Sequence, residues 1–227
     1  SEKARERTSA VRRDVYLKAV EELAKVGGFL GSLPQQDPTK ANLADGMQGL
    51  FAAAAKVQLV AEPKTAQLVT QLVGQYGELL LRLLRAVRPM HDAKFEISLN
   101  SDHYEKAQKE IERVIADMRR HYESAKPEVG VLAALNESFE FQRAQAAMHA
   151  ERRVAAWKAF NSGHRDYVRS LLTELQPIAA QQVKGQVAIR HDLGLDGDLS
   201  ALEAEMECQR MKLSEQVRKY LDELGDA

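Results

Sequence analysis

The densest run of metal-ligating oxygens in the chain is Asp192-Leu193-Gly194-Leu195-Asp196-Gly197-Asp198-Leu199-Ser200-Ala201-Leu202-Glu203. Read as the twelve-residue calcium loop of an EF-hand, it places Asp192 and Asp196 at the first and fifth ligand positions. Gly197 then falls at the sharp turn, Asp198 at the seventh position, Leu199 at the apolar eighth and Glu203 at the closing position. The third ligand is missing, because Gly194 has no side-chain oxygen. The same residues have a plainer use between two helices. Gly194 and Gly197 can end the first helix, Asp198 or Ser200 can cap the second, and Glu203 can complete a capping box with Ser200. Capping is the preferred reading, since no second loop of this kind is present for the usual pairing, and no metal site is expected.

Other chemistry-bearing residues are scattered. None of the six histidines follows a glutamate by three residues, so the Glu-x-x-His pairs of diiron bundles are absent, and there is no His-Glu-x-x-His. Asp117 and His121 stand four apart on one helix face, where they could touch a common metal, but a solvated charge pair is the simpler account. The single cysteine, Cys208, lies among Glu203, Glu205 and Glu207, whose charge disfavours the thiolate, and it excludes an internal disulfide. No phosphate-binding glycine loop occurs. Gly46 and Gly49 fit neither nucleotide fingerprint and sit beside Ala52 to Ala55, a composition that suits close helix packing. Neither a catalytic residue nor a cofactor is therefore expected.

The elements that hold these residues read as helical throughout. Between 13 Gly and 6 Pro lie long stretches of Ala, Glu, Lys, Leu, Arg and Gln, and strand-like alternation is nearly absent. The expected fold is all-α: a helical bundle with long helices and an antiparallel coiled-coil-like hairpin, in one domain over 1–227. The bundle is expected around 1–90 with 199–224, and the hairpin around 100–192.

A first helix runs from Glu2 to about Gly28 on Tyr16, Ala19, Leu23, Val26 and Leu30, and the Pro34 to Pro38 stretch breaks it. A second is expected to begin near Asp37 or Thr39. The third, about 64–87, has an apolar arc including Leu72, Leu79, Leu80 and Leu83 that is wide enough to touch several neighbours. It should end at Pro89. A fourth is expected from an Asp102–Glu105 capping box, with a narrow seam of Tyr104, Gln108, Ile111, Ile115, Met118 and Tyr122. The stretch 131–192 reads as one kinked helix or two. Its seam turns polar at Gln142, His149 and Arg153, so that portion is poorly buried or meets a polar partner.

A formal net charge of -1 gives no pull toward nucleic acid or anionic lipid, so no nucleic-acid partner is expected. The amino-terminal segment carries Lys3, Arg5, Arg7, Arg12 and Arg13 against Glu2, Glu6 and Asp14, which suits a solvated helix face or a juxtamembrane segment. The chain starts at Ser1 rather than Met, as a processed or excised product would.

Three segments carry a resemblance: Arg12-Arg13-Asp14-Val15-Tyr16-Leu17, Ala54-Ala55-Lys56-Val57-Gln58-Leu59-Val60, and Val187-Ala188-Ile189-Arg190 followed by Leu193 and Leu195. In these the chain resembles uncharacterised bacterial proteins with membrane-spanning helices ahead of a helical cytoplasmic domain. The resemblance implies a cytoplasmic location, tethered to the inner membrane by a segment upstream of Ser1. It implies no activity. The function expected is a non-enzymatic helical interaction or scaffold domain, with a protein partner or self-association through the polar-seamed hairpin. Two alternatives stand beside it. One is a calcium-responsive module using Asp192, Asp196, Asp198 and Glu203; the other is an enzyme or small-ligand binder with a site between helices.

Overall fold

The computed structural model describes residues 2–37, 42, 45–124, 126, 128–195, 197 and 199–225. Among them the structure is all-α, with five helices and no strand: α1 (Glu2–Ser32), α2 (Gln48–Val60), α3 (Pro63–Tyr122), α4 (Val129–Asp192) and α5 (Leu199–Gly225). Short 3-10 turns at Leu33–Gln35 and Asp45–Met47 follow α1 and precede α2. None of these helices is long and apolar enough, among the described residues, to cross a membrane.

The chain divides into two compact units, Ser1–Arg88 with His164–Ala227, and Pro89–Gly163. The hairpin unit is thus shorter than the expected 100–192, because residues 164–192 of α4 belong to the bundle unit. There Tyr167, Leu171, Ile178 and Ile189 are buried. Core burial, not helix continuity, sets the division.

In the bundle unit, α1 contributes Tyr16, Ala19, Val26 and Leu30 to the core, α2 contributes Leu50, Ala53, Ala54 and Val57, and α3 contributes Val69, Leu72, Tyr76, Leu79, Leu80, Leu83 and Val87. The wide arc expected on α3 is buried, which gives it several neighbours at once. The small residues of α2 allow α1 to come close. A Cβ on Gly46 would lie 2.1 Å from the Phe29 ring, and one on Gly49 would lie 2.1 Å from a Glu22 carboxylate oxygen.

The end of α1 is set by Pro34, and a residue far along the chain completes it. The α-helical donor to the Leu30 carbonyl would be the amide of residue 34, which in proline has no hydrogen. The buried Tyr167 hydroxyl donates to that carbonyl at 2.5 Å instead.

Two expectations about boundaries are corrected, and an open one is decided. The second helix does not begin at Asp37 or Thr39: Asp37 lies before it, Thr39 is outside the described residues, and the helix starts at Gln48 behind the 3-10 turn at Asp45. Pro89 does not end the third helix, which runs on for 60 residues, so Asp102 and Glu105 lie in mid-helix rather than in a capping box. An internal proline costs about 3 kcal/mol, chiefly one hydrogen bond and a clash with the preceding turn. Val87 and Met90, each 1% exposed, bury the helix on either side of it. Likewise 131–192 is one helix, continuous through Gly163 and Pro177.

In the hairpin unit the buried residues of α3 recur every seventh position, at Ala93, Asn100, Ala107 and Val114. Ile97, Tyr104, Ile111 and Met118 fill the intervening positions, half-buried. The expected seam of Tyr104, Gln108, Ile111, Ile115, Met118 and Tyr122 is half-buried as far as Met118, whereas Tyr122 is 67% exposed, and it lacked the buried Asn100, Ala107 and Val114. The return helix α4 contributes Ala146, Ala156 and Phe160. At the base the two helices come so close that a Cβ on Gly163 would lie 3.0 Å from Met90 Cγ.

Candidate functional site

At the end of α4 the residues Arg190 to Leu195 form a Schellman cap. Gly194 has φ 68°, the Leu195 amide donates to the Arg190 carbonyl at 3.0 Å, and the Gly194 amide donates to the His191 carbonyl at 2.9 Å. Only glycine reaches that φ without strain, which accounts for Gly194 where a calcium loop would need an oxygen. Asp192, the last residue of α4, turns its carboxylate away from the loop. Its Oδ2 accepts the Tyr16 hydroxyl at 2.6 Å and the Glu62 amide at 3.2 Å. Arg12 in turn holds the Glu62 carboxylate at 2.7 Å.

This cluster joins α1, the start of α3 and the end of α4. Burial, and then the carboxylate it donates to, push the Tyr16 phenol well above the ordinary tyrosine range, so it remains a donor. Asp196 and Asp198 lie outside the described residues. Glu203 stands exposed in α5.

The second polar cluster lies inside the hairpin. Asn100, 3% exposed, uses its amide nitrogen on the Glu96 carbonyl at 2.8 Å and the Glu96 carboxylate at 3.2 Å. Both amide hydrogens are thereby committed, so Asn100 Oδ1 is an acceptor, and His149 Nδ1, 2.9 Å away, must carry the hydrogen. His103 stacks on His149 with ring centroids 4.8 Å apart and planes 15° from parallel. Four residues along each helix, the Arg153 guanidinium lies 4.9 Å over the Tyr104 ring. His149 and Arg153 of the α4 seam are thus met by polar and aromatic residues of α3. Burial, and then the charges of His103 and Arg152, hold His149 below the ordinary imidazole range.

Asp117 and His121 each have other partners. Asp117 accepts from Arg113 at 3.2 Å and is also held by Arg120. His121 Nε2 takes the amide hydrogen of Glu128 at 2.6 Å, which helps to fix the turn into α4. Cys208 is exposed on α5. In the bundle unit an open groove of about 240 Å³ is lined by Gln75, Glu78, Arg82, Glu174, Pro177 and Ile178, and its Arg82 and Glu174 pair with each other at 2.6 Å. No group of three or more metal-ligating side chains converges among the described residues.

Both hairpin helices expose apolar side chains, α3 at Phe95 (66%) and Leu99 (38%), and beyond these the two differ in kind. From Asp102 to Arg120 the outward face of α3 is charged, with Glu105, Lys106, Lys109, Glu112, Arg113, Arg119 and Arg120 all exposed. The outward face of α4 exposes Ala134, Ala144, Ala147 and Ala155 around Phe141 at 59% and Val154 at 66%. Sequence reasoning missed this face because its Ala content reads as helix propensity; the signal that could have found it is a second apolar spacing of three and four beside the first. No known protein family, no curated protein and no solved structure matches the chain.

Proposed function

We propose that the chain is a non-enzymatic helical interaction domain, with the outward face of α4 in the hairpin unit as its partner-facing surface. One observation carries this reading: Phe141, Ala144, Met148 and Ala155 line one face of α4, exposed apart from the half-buried Met148, while α3 from Asp102 to Arg120 exposes charged side chains. An isolated exposed apolar residue is ordinary, but a run of them along one helix marks a contact surface. The polar seam, expected at first to be that surface, is a poorer candidate, because His149 and Arg153 already have partners on α3. The seven-residue recurrence of buried positions on α3 favours coiled-coil-like pairing with α4, and a pair of that kind holds a third helix without rearranging.

The test places a photoreactive amino acid at Ala144 on α4, or at Glu112 on α3, in cells that make the protein. Adducts at position 144 and none at position 112 are expected. Equal labelling at both, or none at either, defeats the reading. Tethering at the cytoplasmic face of a bacterial inner membrane belongs to the same proposal and is supported by the segment resemblance alone. Fractionation of the product of the whole reading frame tests it, and recovery wholly in the soluble fraction would remove the tether.

A further inference from the structure

We propose that Pro89 in α3 and Gly163 in α4 form a hinge, at which the paired helices of the hairpin bend together. The hinge needs no property of the α4 face, and it stands or falls separately from the reading of that face as a contact surface.

Both long helices pass from one compact unit to the other without a break, α3 between Arg88 and Pro89 and α4 between Gly163 and His164. At each crossing stands a residue that weakens a helix. Pro89 has no amide hydrogen, so the Arg85 carbonyl lacks its helical donor, and sharp bends in helices collect at such positions. Gly163 has no side chain to restrict its backbone, and glycine gives up more freedom on entering a helix than any other residue.

A pair of packed helices bends only where both yield at the same level. Here they do, since a Cβ on Gly163 would lie 3.0 Å from Cγ of Met90, the residue after Pro89. Met90 is buried, and its unbranched thioether is the kind of apolar side chain that repacks readily when the backbone beneath it turns. Burial at this level is thereby kept through a change of angle.

Bracing by other helices sets the level of the hinge. From Tyr167 onward, four residues past Gly163, α4 is tied to the end of α1, through the Tyr167 hydroxyl on the Leu30 carbonyl. The unit Pro89–Gly163, by contrast, consists of segments of α3 and α4 and the turn between them. Pro177 also lies inside α4, and Gly74 of α3 adjoins Gln75, which lines the same groove as Pro177. That proline belongs to the bundle unit, where α1, α2 and α3 all supply buried side chains and its neighbour Ile178 is buried. A helix held on several sides does not turn at its proline.

The test is pulsed electron paramagnetic resonance of the whole chain in a Cys208→Ser background, with spin labels introduced by Lys25→Cys on α1 and Asp102→Cys on α3, both exposed positions. Labels at Asp102 and the exposed Ala144, both within the hairpin, give the reference. The 25–102 distances should spread about twice as widely as the 102–144 distances, as expected of two bodies joined at a hinge. Pro89→Ala and Gly163→Ala should each narrow the 25–102 spread toward the reference, because a paired stalk bends only if both helices yield. Pro177→Ala should leave it unchanged. A 25–102 spread no wider than the reference overturns the hinge, as does an unchanged spread in either Pro89→Ala or Gly163→Ala. Equal narrowing by Pro177→Ala overturns it too, since flexibility would then belong to prolines in general and not to this level of the hairpin.

Discussion

The Tyr16 hydroxyl donates to the Asp192 carboxylate at 2.6 Å, joining residues 176 positions apart. Tyr16 is 1% exposed, so its hydroxyl has no water to replace a lost acceptor. Asp192→Ala leaves both this hydroxyl and the Glu62 amide without it. The expected loss is about 1 to 3 kcal/mol in chemical denaturation, with Tyr16→Phe costing less because the Glu62 amide keeps its acceptor. Equal stability of Asp192→Ala and the parent would show that the contact is not held in solution.

The same carboxylate bears on calcium. A metal at the 192–203 loop would have to draw Asp192 away from Tyr16 and Glu62. Calorimetry at millimolar calcium should therefore show no saturable heat, and Glu203→Gln should leave the trace unchanged. Saturable binding that Glu203→Gln abolishes would establish the calcium-responsive alternative.

The hairpin should weaken in mild acid. His149 has its folded pKa lowered, first by burial and then by His103 and Arg152, so the unfolded chain binds the proton more tightly than the folded one. Glu96, which receives the Asn100 amide, and Arg153 over Tyr104 are the other charges nearby. The stabilisation is complete above an unfolded-chain value of about 6.5 and is lost as pH falls through the lower folded value. Hydrogen exchange of segments 97–107 and 146–156 should accelerate relative to the bundle core between pH 7.5 and 5.5. His149→Gln keeps a donor for Asn100 without titrating, and should suppress the difference. A pH response that survives in this variant would assign it to another group.

Two glycines of the α1–α2 contact should respond differently. Gly46→Ala drives a methyl into the Phe29 ring, which is joined to the rest of its packing, and is expected to destabilise by about 1 to 3 kcal/mol. Gly49→Ala meets the end of the Glu22 side chain, which can swing aside, and the gain in helix propensity offsets the shift. Its denaturation midpoint should be close to the parent's. Similar losses at both sites would mean that Glu22 is fixed in place.

On α3, Leu79 is fully buried and Leu81 is 68% exposed. Leu79→Ala should cost about 2 to 5 kcal/mol, and Leu81→Ala should stay within about 0.5 kcal/mol. Denaturation followed by dichroism separates them, and a large loss at Leu81 would place it in a contact that the single chain does not contain.

Helix, and little else, was legible locally. Tyr16, Ala19, Val26 and Leu30 have the spacing that buries one face, and the broad arc of Leu72, Leu79, Leu80 and Leu83 already marked α3 as central. Close packing at Gly46 and Gly49 was also readable, because small residues in a helix leave few other uses. Tertiary packing decided what proline and polar residues could not announce by themselves. Pro34 ends α1 whereas Pro89 lies within a 60-residue helix, a difference that no local rule contains. Asn100 carried no signal in the sequence, and α4 brings His149 to its carbonyl oxygen. Asp192 was readable as a calcium ligand or as part of a capped connection, the preferred reading, and α1 brings Tyr16 to its carboxylate. A side chain's partners across long sequence separations are set by the packing of whole helices, so its chemistry is open in the sequence and fixed only in the fold.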